Sequence, residues 1–273
     1  MNLPVYTTLS LTLADHVAEI RLNRPDKSNA INEAMWQEIR HACEWVDNTP
    51  EARVAIISGE GRNFCAGIDL AMLAGIQQRI AHADGARSRE ALRRLILNLQ
   101  DCLSSIERCR KPVIAAIQGA CIGGALDLVT CCDMRYATSD AVFSVKEIDI
   151  GMVADVGTLQ RLPRLIGEGW ARELAYTGRN LDAAEAEKLG LVNRIFASHA
   201  DLENGVQQIA LAIAKKSPLA IRGTKEVLNY SRDHSIAEGL NFVATWNSTA
   251  LLSGDLKECM QAQMEKRVPR FVD

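Results

Sequence analysis

Residues 111–128 read KPVIAAIQGACIGGALDL. Pro112 to Gln118 is a short apolar run closed by Gly119, the pattern of a buried strand. Gly123-Gly124 then makes a turn, and a helix opens behind it. The first N–H groups of a helix lack internal partners and carry partial positive charge. A strand that passes through glycines into a helix can therefore hold a phosphate or a developing oxyanion. The GxGxxG spacing of dinucleotide sites does not occur here, and Gly-Gly alone is a weak signal. Asp127 follows Gly124 by three residues, on the same helix face. On local grounds a first-turn carboxylate favoured by the helix dipole explains it equally well.

The same alternation extends outward. Tyr6–Leu13 and His16–Leu22 read as strands joined at Ala14-Asp15. Asn32–Trp45 is amphipathic and helical, Arg53–Ser58 is a buried strand bounded by Gly59 and Gly61, and 86–110 is a long helix. Short strands alternating with helices predict an α/β domain with much parallel pairing. After Phe196 the pattern is helical: 200–214, 218–230 with Ser217 capping Pro218, 235–252 and 255–265. The third of these carries Ile236, Leu240, Phe242, Val243, Trp246, Leu251 and Leu252. So broad an apolar face must pack on the chain's own core or on another subunit.

The chain has 273 residues, 48% hydrophobic and 24% charged, which excludes a disordered or collagen-like chain. A net charge of −3 gives no global footprint for nucleic acid, so an anionic ligand needs a local basic site. No apolar run approaches the ~18 residues of a membrane span. The eight cysteines (43, 65, 102, 109, 121, 131, 132, 259) form no CxxC pair and no zinc spacing. They read as buried free thiols, with no metal site. The N-terminus lacks a basic stretch followed by an apolar one, and VPRFVD at the C-terminus is no address tag. Together these predict a reducing, cytoplasmic setting. The five histidines form no nucleophile–base–acid pattern.

Three further stretches could carry chemistry. Asn63 to Leu70, NFCAGIDL, places small residues directly after a strand, where backbone N–H groups can approach a ligand; an ordinary strand-to-helix turn explains it as well. Val145 to Thr158, VKEIDIGMVADVGT, holds several carboxylates among apolar neighbours. An apolar pocket would raise their pKa values and suit them to acid–base work, whereas a solvated loop would leave them inert. Arg24 and Lys27, with Lys266 and Arg267, are the basic residues near the termini, and scattered basic residues are ordinarily just surface.

Taken together these segments resemble the crotonase superfamily, the enoyl-CoA hydratase/isomerase family. The resemblance rests on LNRPDKSNAI at 22–31, FCAGIDL at 64–70, KPVIAAIQGACIGGALDL at 111–128, CDMRYAT at 132–138 and VKEIDIGMVADVGTLQRLPRLIG at 145–167. It implies an α/β fold, a spiral of ββα units with a helical C-terminal trimerisation region. The chain then divides into a core at 1–197 that holds an acyl-CoA site and an oligomerisation region at 198–273. It also implies an oxyanion hole from the backbone N–H groups of Ile68 and Gly124. Substrate contacts are expected at Arg24, Lys27, Ala66, Gly67, Asp69 and Lys266.

In this family the acid–base residues decide the reaction. Hydratases use two glutamates, whereas this chain has Asp127 at the first position, Glu147 at the second and Asp155 where hydratases typically have glycine. That trio resembles members that shift the double bonds of 3,5-dienoyl-CoA to 2,4-dienoyl-CoA. By the same resemblance Asp155 is the base at C2, Glu147 the acid at C6 and Asp127 a polar support. Against the family pattern, Ala125 stands where a third glycine is usual and Val153 where a small residue is commoner, and both departures are expected to narrow the pocket. The resemblance implies no cofactor beyond the coenzyme A of the substrate, and a homotrimer or homohexamer as the assembly. A hydratase, and a non-catalytic or RNA-binding relative, are the alternatives.

Overall fold

The computed structural model describes residues 3–273; the first two residues of the 1–197 core lie outside it. The chain opens with a hairpin, β1 (Leu9–Ala14) and β2 (Val17–Leu22). Its turn is Asp15-His16, both with positive φ, one residue later than the sequence pattern placed it. Such a two-residue turn matches the twist of the strands it joins. Asn32 then caps α1 (Glu33–Asn48), its side chain accepting the Met35 N–H. The fully buried β3 (Val54–Gly59) follows. Next come α2 (Leu70–Arg79) and α3 (Gly85–Arg108), each capped by an aspartate, Asp69 and Asp84. The sequence reading missed α2, which buries none of its residues.

From here the chain winds as a spiral, sending strands alternately to two sheets. β4 (Val113–Ile117) enters the large sheet and β5 (Ala120–Ile122) the small one. After α4 (Gly124–Thr130), β6 (Met134–Thr138) returns to the large sheet and β7 (Val142–Ser144) to the small one. α5 (Thr158–Ile166), α6 (Glu168–Thr177), β8 (Leu181–Asp182), α7 (Ala183–Leu189) and β9 (Arg194–Phe196) complete it. The large sheet has the order β1-β2-β3-β4-β6-β9, parallel except for the opening hairpin. In the small sheet β7 pairs parallel with β5 and antiparallel with β8. Helices cover both faces of the largely parallel sheet, as its continuous apolar strands require.

One face of the large sheet packs on α1 and α3 through Ile20, Ile57, Trp36, Ile39 and Leu103. The other face is covered by α8 (His199–Ala214), whose Leu202, Val206 and Ala210 meet Val54, Ile56, Ile114 and Tyr136. α8 therefore belongs by packing to the core, although its sequence position places it in the 198–273 region. Within that region the helices that leave apolar surface uncovered are the three after it: α9 (Pro218–Arg232), α10 (Ile236–Ala250) and α11 (Gly254–Glu265). Their Leu228, Ile236, Leu240, Met260 and Met264 are exposed. All eight cysteines are free thiols; seven are buried and Cys259 is exposed. Among the described residues no helix is long and apolar enough to cross a membrane.

Candidate active site

Two backbone segments meet at the C-terminal ends of β3 and β4. The Cys65 N–H donates to the Ala120 carbonyl (2.9 Å) and the Ile122 N–H to the Cys65 carbonyl (3.2 Å). Beneath them the buried Asn29 amide donates to the carbonyls of Glu60, Asn63 and Phe64. Asn29 lies in one of the stretches that carried the family resemblance, but no periodicity marks a buried asparagine as the clamp of a loop.

The directions of the N–H groups follow from this pairing. Gly67 accepts the Ile31 N–H at 2.8 Å, and the Asp69 N–H donates to the Ile31 carbonyl at 3.0 Å. In an extended chain successive N–H groups point to opposite sides, so the Ile68 N–H faces away from Ile31. On that side stands Gly124, the first residue of α4; a Cβ built on it would lie 3.6 Å from the Ile68 nitrogen. Among the described residues neither N–H has a protein acceptor. Gly67, at φ +91°, makes the approach possible: a Cβ there would meet the Ile122 oxygen at 2.5 Å. The pair forms a pocket for a developing negative oxygen.

The carboxyls stand beside it. Asp127, on α4, is fully buried, and its Oδ1 accepts the Thr158 N–H at 2.5 Å. The Gly123 N–H donates to the Ser144 carbonyl at 2.9 Å, tying the glycine turn to β7. The chain leaving β7 brings Glu147 against Gly123, where a Cβ would come within 3.2 Å of Oε1. Glu147 and Asp127 line the same cavity. Asp127 Oδ2 and Glu147 Oε2 are both buried without a partner. Asp155 is half-buried, its backbone carbonyl held by the Gln100 amide at 2.6 Å.

A single cavity of about 400 Å³ is lined by Ile68, Gly124, Asp127, Glu147 and Asp155 together. Its remaining wall is mostly apolar and comes mainly from α1, α2 and α3, with Trp36, Ile76, Leu95 and Leu99 among the contributors, and from Met152 and Val156 ahead of α5. The overlooked α2 is thus part of the site. Burial pushes the Asp127 carboxyl up to about 6, against the pull of Thr158. Glu147 rises to about 7, from burial first and then from the charge of Asp127. Burial also raises Asp155. Each charge disfavours ionisation of the other carboxyl, as in other paired-carboxyl sites.

The expected coenzyme contacts divide. Gly67 is buried in the hole and Ala66 is exposed beside it, its N–H donating to the Ser28 carbonyl at 2.9 Å. Arg24 and Asp69, each expected to touch substrate, instead pair with one another at 3.0 Å, and Arg24 also donates to the Ala30 carbonyl. The guanidinium braces the loop rather than standing free for a phosphate. Lys27 is exposed on that loop and has no ion pair among the described residues. Lys266 caps α11 and does not line the cavity. The tail behind it is held by Arg53, which donates to the Phe271 carbonyl at 2.7 Å just before β3. That is the opposite end of the sheet from Arg24.

Comparison with known proteins agrees with this geometry. Residues 12–273 match the family model described as enoyl-CoA hydratase/isomerase. A peroxisomal Δ(3,5)-Δ(2,4)-dienoyl-CoA isomerase of Arabidopsis thaliana is 49% identical over 275 residues, 99% of each chain. The human mitochondrial protein of the same name is 46% identical, covering 96% of this chain and 80% of its own. A crystal structure of enoyl-CoA hydratase from Bacillus anthracis superposes with a TM-score of 0.88 at 33% identity, covering 97% of this chain and 99% of the other. The chain belongs to the enoyl-CoA hydratase/isomerase family. The cytoplasmic setting read from the termini and thiols is overturned, since these relatives are peroxisomal and mitochondrial. Buried thiols need only a reducing interior and name no compartment.

Proposed function

We propose that this chain is a Δ3,5-Δ2,4-dienoyl-CoA isomerase. The observation that carries the reading is the convergence of two unpartnered N–H groups and three carboxyls on one largely apolar cavity. The relatives of that name, alike over nearly the full chain, support it.

The thioester oxygen sits between the Ile68 and Gly124 N–H groups. Asp155, ionised, takes a proton from C2. The electron pair delocalises from C2 through the diene to C6, and the negative charge gathers on the thioester oxygen, where the two donors hold it. Each such donor lowers the barrier by about 3 kcal/mol. Glu147 gives its proton to C6, leaving double bonds at C2–C3 and C4–C5. The apolar walls from α2 and α3 exclude water, which favours isomerisation over hydration. Asp155 then releases its proton and Glu147 regains one before the next turnover. No cofactor takes part, because both proton transfers are made by side chains.

Coenzyme A is held at the loop that carries Lys27, Ala66 and Gly67, with Arg24 and Asp69 shaping that loop. Residues 198–273 mediate self-association into a homotrimer or homohexamer; the apolar residues left exposed on α10 and α11 support this.

Incubation with 3,5-dienoyl-CoA and, separately, 2-enoyl-CoA tests the activity. Growth of the ultraviolet absorbance of the conjugated 2,4-dienoyl product is expected from the first. Rapid hydration of the second with no turnover of the first would overturn the reading.

A further inference from the structure

Residues 152–156 carry Asp155 to the catalytic cavity, and they form neither helix nor strand. Gly151 and Gly157, both at positive φ, bound the stretch. The Met152 N–H donates to the Glu147 carbonyl at 2.9 Å. Beyond it, among the described residues, the backbone of 153–156 makes one hydrogen bond: the Asp155 carbonyl accepts the Gln100 amide at 2.6 Å. Ala154 and Val156 are buried in the core on either side. Their apolar contacts hold the chain down but set no direction. A rigid peptide plane held at its oxygen fixes the backbone angle at Asp155, and so the direction of its side chain.

Gln100 reaches this carbonyl from behind the site. It lines a second, polar cavity of about 360 Å³ together with Val156, Gly157 and Arg161, and it does not line the catalytic one. Val156 borders both cavities, so residues 155–157 are the wall between them. On α3, Ser104 and Glu107 follow Gln100 at four and seven residues, on the same helix face. Both accept hydrogen bonds from the Arg161 guanidinium of α5, at 3.2 and 2.9 Å. One polar face of a long helix therefore grips the wall at Asp155 and the helix behind it at Arg161. The preceding residue, Leu99, turns to the catalytic cavity and forms part of its apolar wall.

We propose that Gln100 is a positioning residue for the isomerisation: it holds the Asp155 peptide from behind and aims the carboxylate at C2. The assignment rests on Asp155 being the base. Gln100 touches no reacting atom and moves no proton. Proton abstraction needs a base within hydrogen-bond reach, and a misplacement of about 1 Å costs up to about 10²-fold. Without the amide the carbonyl is free to turn, and the carboxylate turns with it.

Two variants of the full chain test this. Gln100→Met keeps the side chain's length and removes the donor, and Gln100→Glu keeps its shape and sets an acceptor against the carbonyl. Turnover of 3,5-dienoyl-CoA is followed in steady state and with enzyme in excess, and thermal melts check the fold. The rate is expected to fall by about 10–10²-fold with KM nearly unchanged. In an Asp155→Asn background the same change should cost less than about twofold, because no base remains to be aimed. A prop for the fold at large would instead lower both backgrounds by one factor. If the Met variant does not fold, the Glu variant carries the comparison. A folded variant at the wild-type rate would overturn the proposal. So would a loss in KM alone, an equal loss in both backgrounds, or failure of both variants to fold. A near wild-type rate in Asp155→Asn itself would refute the base, a separate failure that the Gln100 variants do not produce.

Discussion

The Glu147 carboxyl rests against Gly123: a Cβ at residue 123 would come within 3.2 Å of Oε1. The glycine turn that frees the Gly124 N–H for an oxyanion is thus the same turn that makes room for the acid. Hole and proton donor share one piece of backbone, and neither can move without the other.

Gly67→Ala tests the hole. The residue has φ +91°, and its Cβ would meet the Ile122 oxygen at 2.5 Å. The two strapped segments must separate, which misaims the Ile68 donor. We expect kcat to fall by about 10²–10³ and the fold to lose about 1–3 kcal/mol. Steady-state rates and a urea unfolding curve would record both, and an unchanged kcat would show that the approach of these loops is not needed for catalysis.

Asp155→Asn preserves shape and removes the base. We expect a kcat lower by about 10²–10⁴ with KM little altered. In the wild type, solvent deuterium should enter the product at C6, readable by mass spectrometry. Near-normal isomerisation by Asp155→Asn would eliminate the two-carboxyl mechanism.

The raised carboxyls tie stability to pH. Asp127 at about 6 and Glu147 at about 7 hold protons in the folded state that the unfolded chain has already released. Their contribution is therefore fully present below pH ~4 and is lost as pH rises through 6 to 7. Glu147→Gln removes one of these costs, so thermal melts should show the variant gaining stability over wild type at pH 8 and not at pH 4. Activity should decline on the alkaline side of about 7, as Glu147 loses its proton. A variant that gains equally at both pH values would refute the assignment.

Lys27→Ala and Arg24→Ala should behave differently. Lys27 is exposed and has no ion pair among the described residues, so its loss is expected to raise KM for CoA esters with kcat unchanged, as for uniform binding. Arg24 braces Asp69 at the cap of α2, and its loss should lower kcat as well. Matching effects on KM alone would mean that both contact the coenzyme directly.

Sedimentation of the full chain should reveal at least three subunits. The exposed Ile236, Leu240, Leu252, Met260 and Met264 on or beside α10 and α11 are the surface expected to be covered. A monodisperse monomer at micromolar concentration would count against self-association.

By itself the sequence determined the longer strands, β1 to β4 and β6, and most of the helices, because each has a local signature; the two- and three-residue strands β5, β7, β8 and β9 are too short to carry one. Alternation and apolar runs mark β3 and β4, and Ser217-Pro218 marks the start of α9. Asp127, Glu147 and Asp155 were legible as a trio only through the family pattern, since no spacing rule places them on one cavity. Tertiary structure decided the rest. α2 carries no buried residue, so its periodicity gave no sign that it walls the site. Arg24 and Asp69 are 45 positions apart, and only folding turns two expected ligands into one brace. Thr158 lies 31 positions from Asp127. Its contact exists because the spiral returns the start of α5 to the buried end of α4. Local propensity acts over a few residues, whereas burial and ion pairing depend on what the completed fold brings alongside.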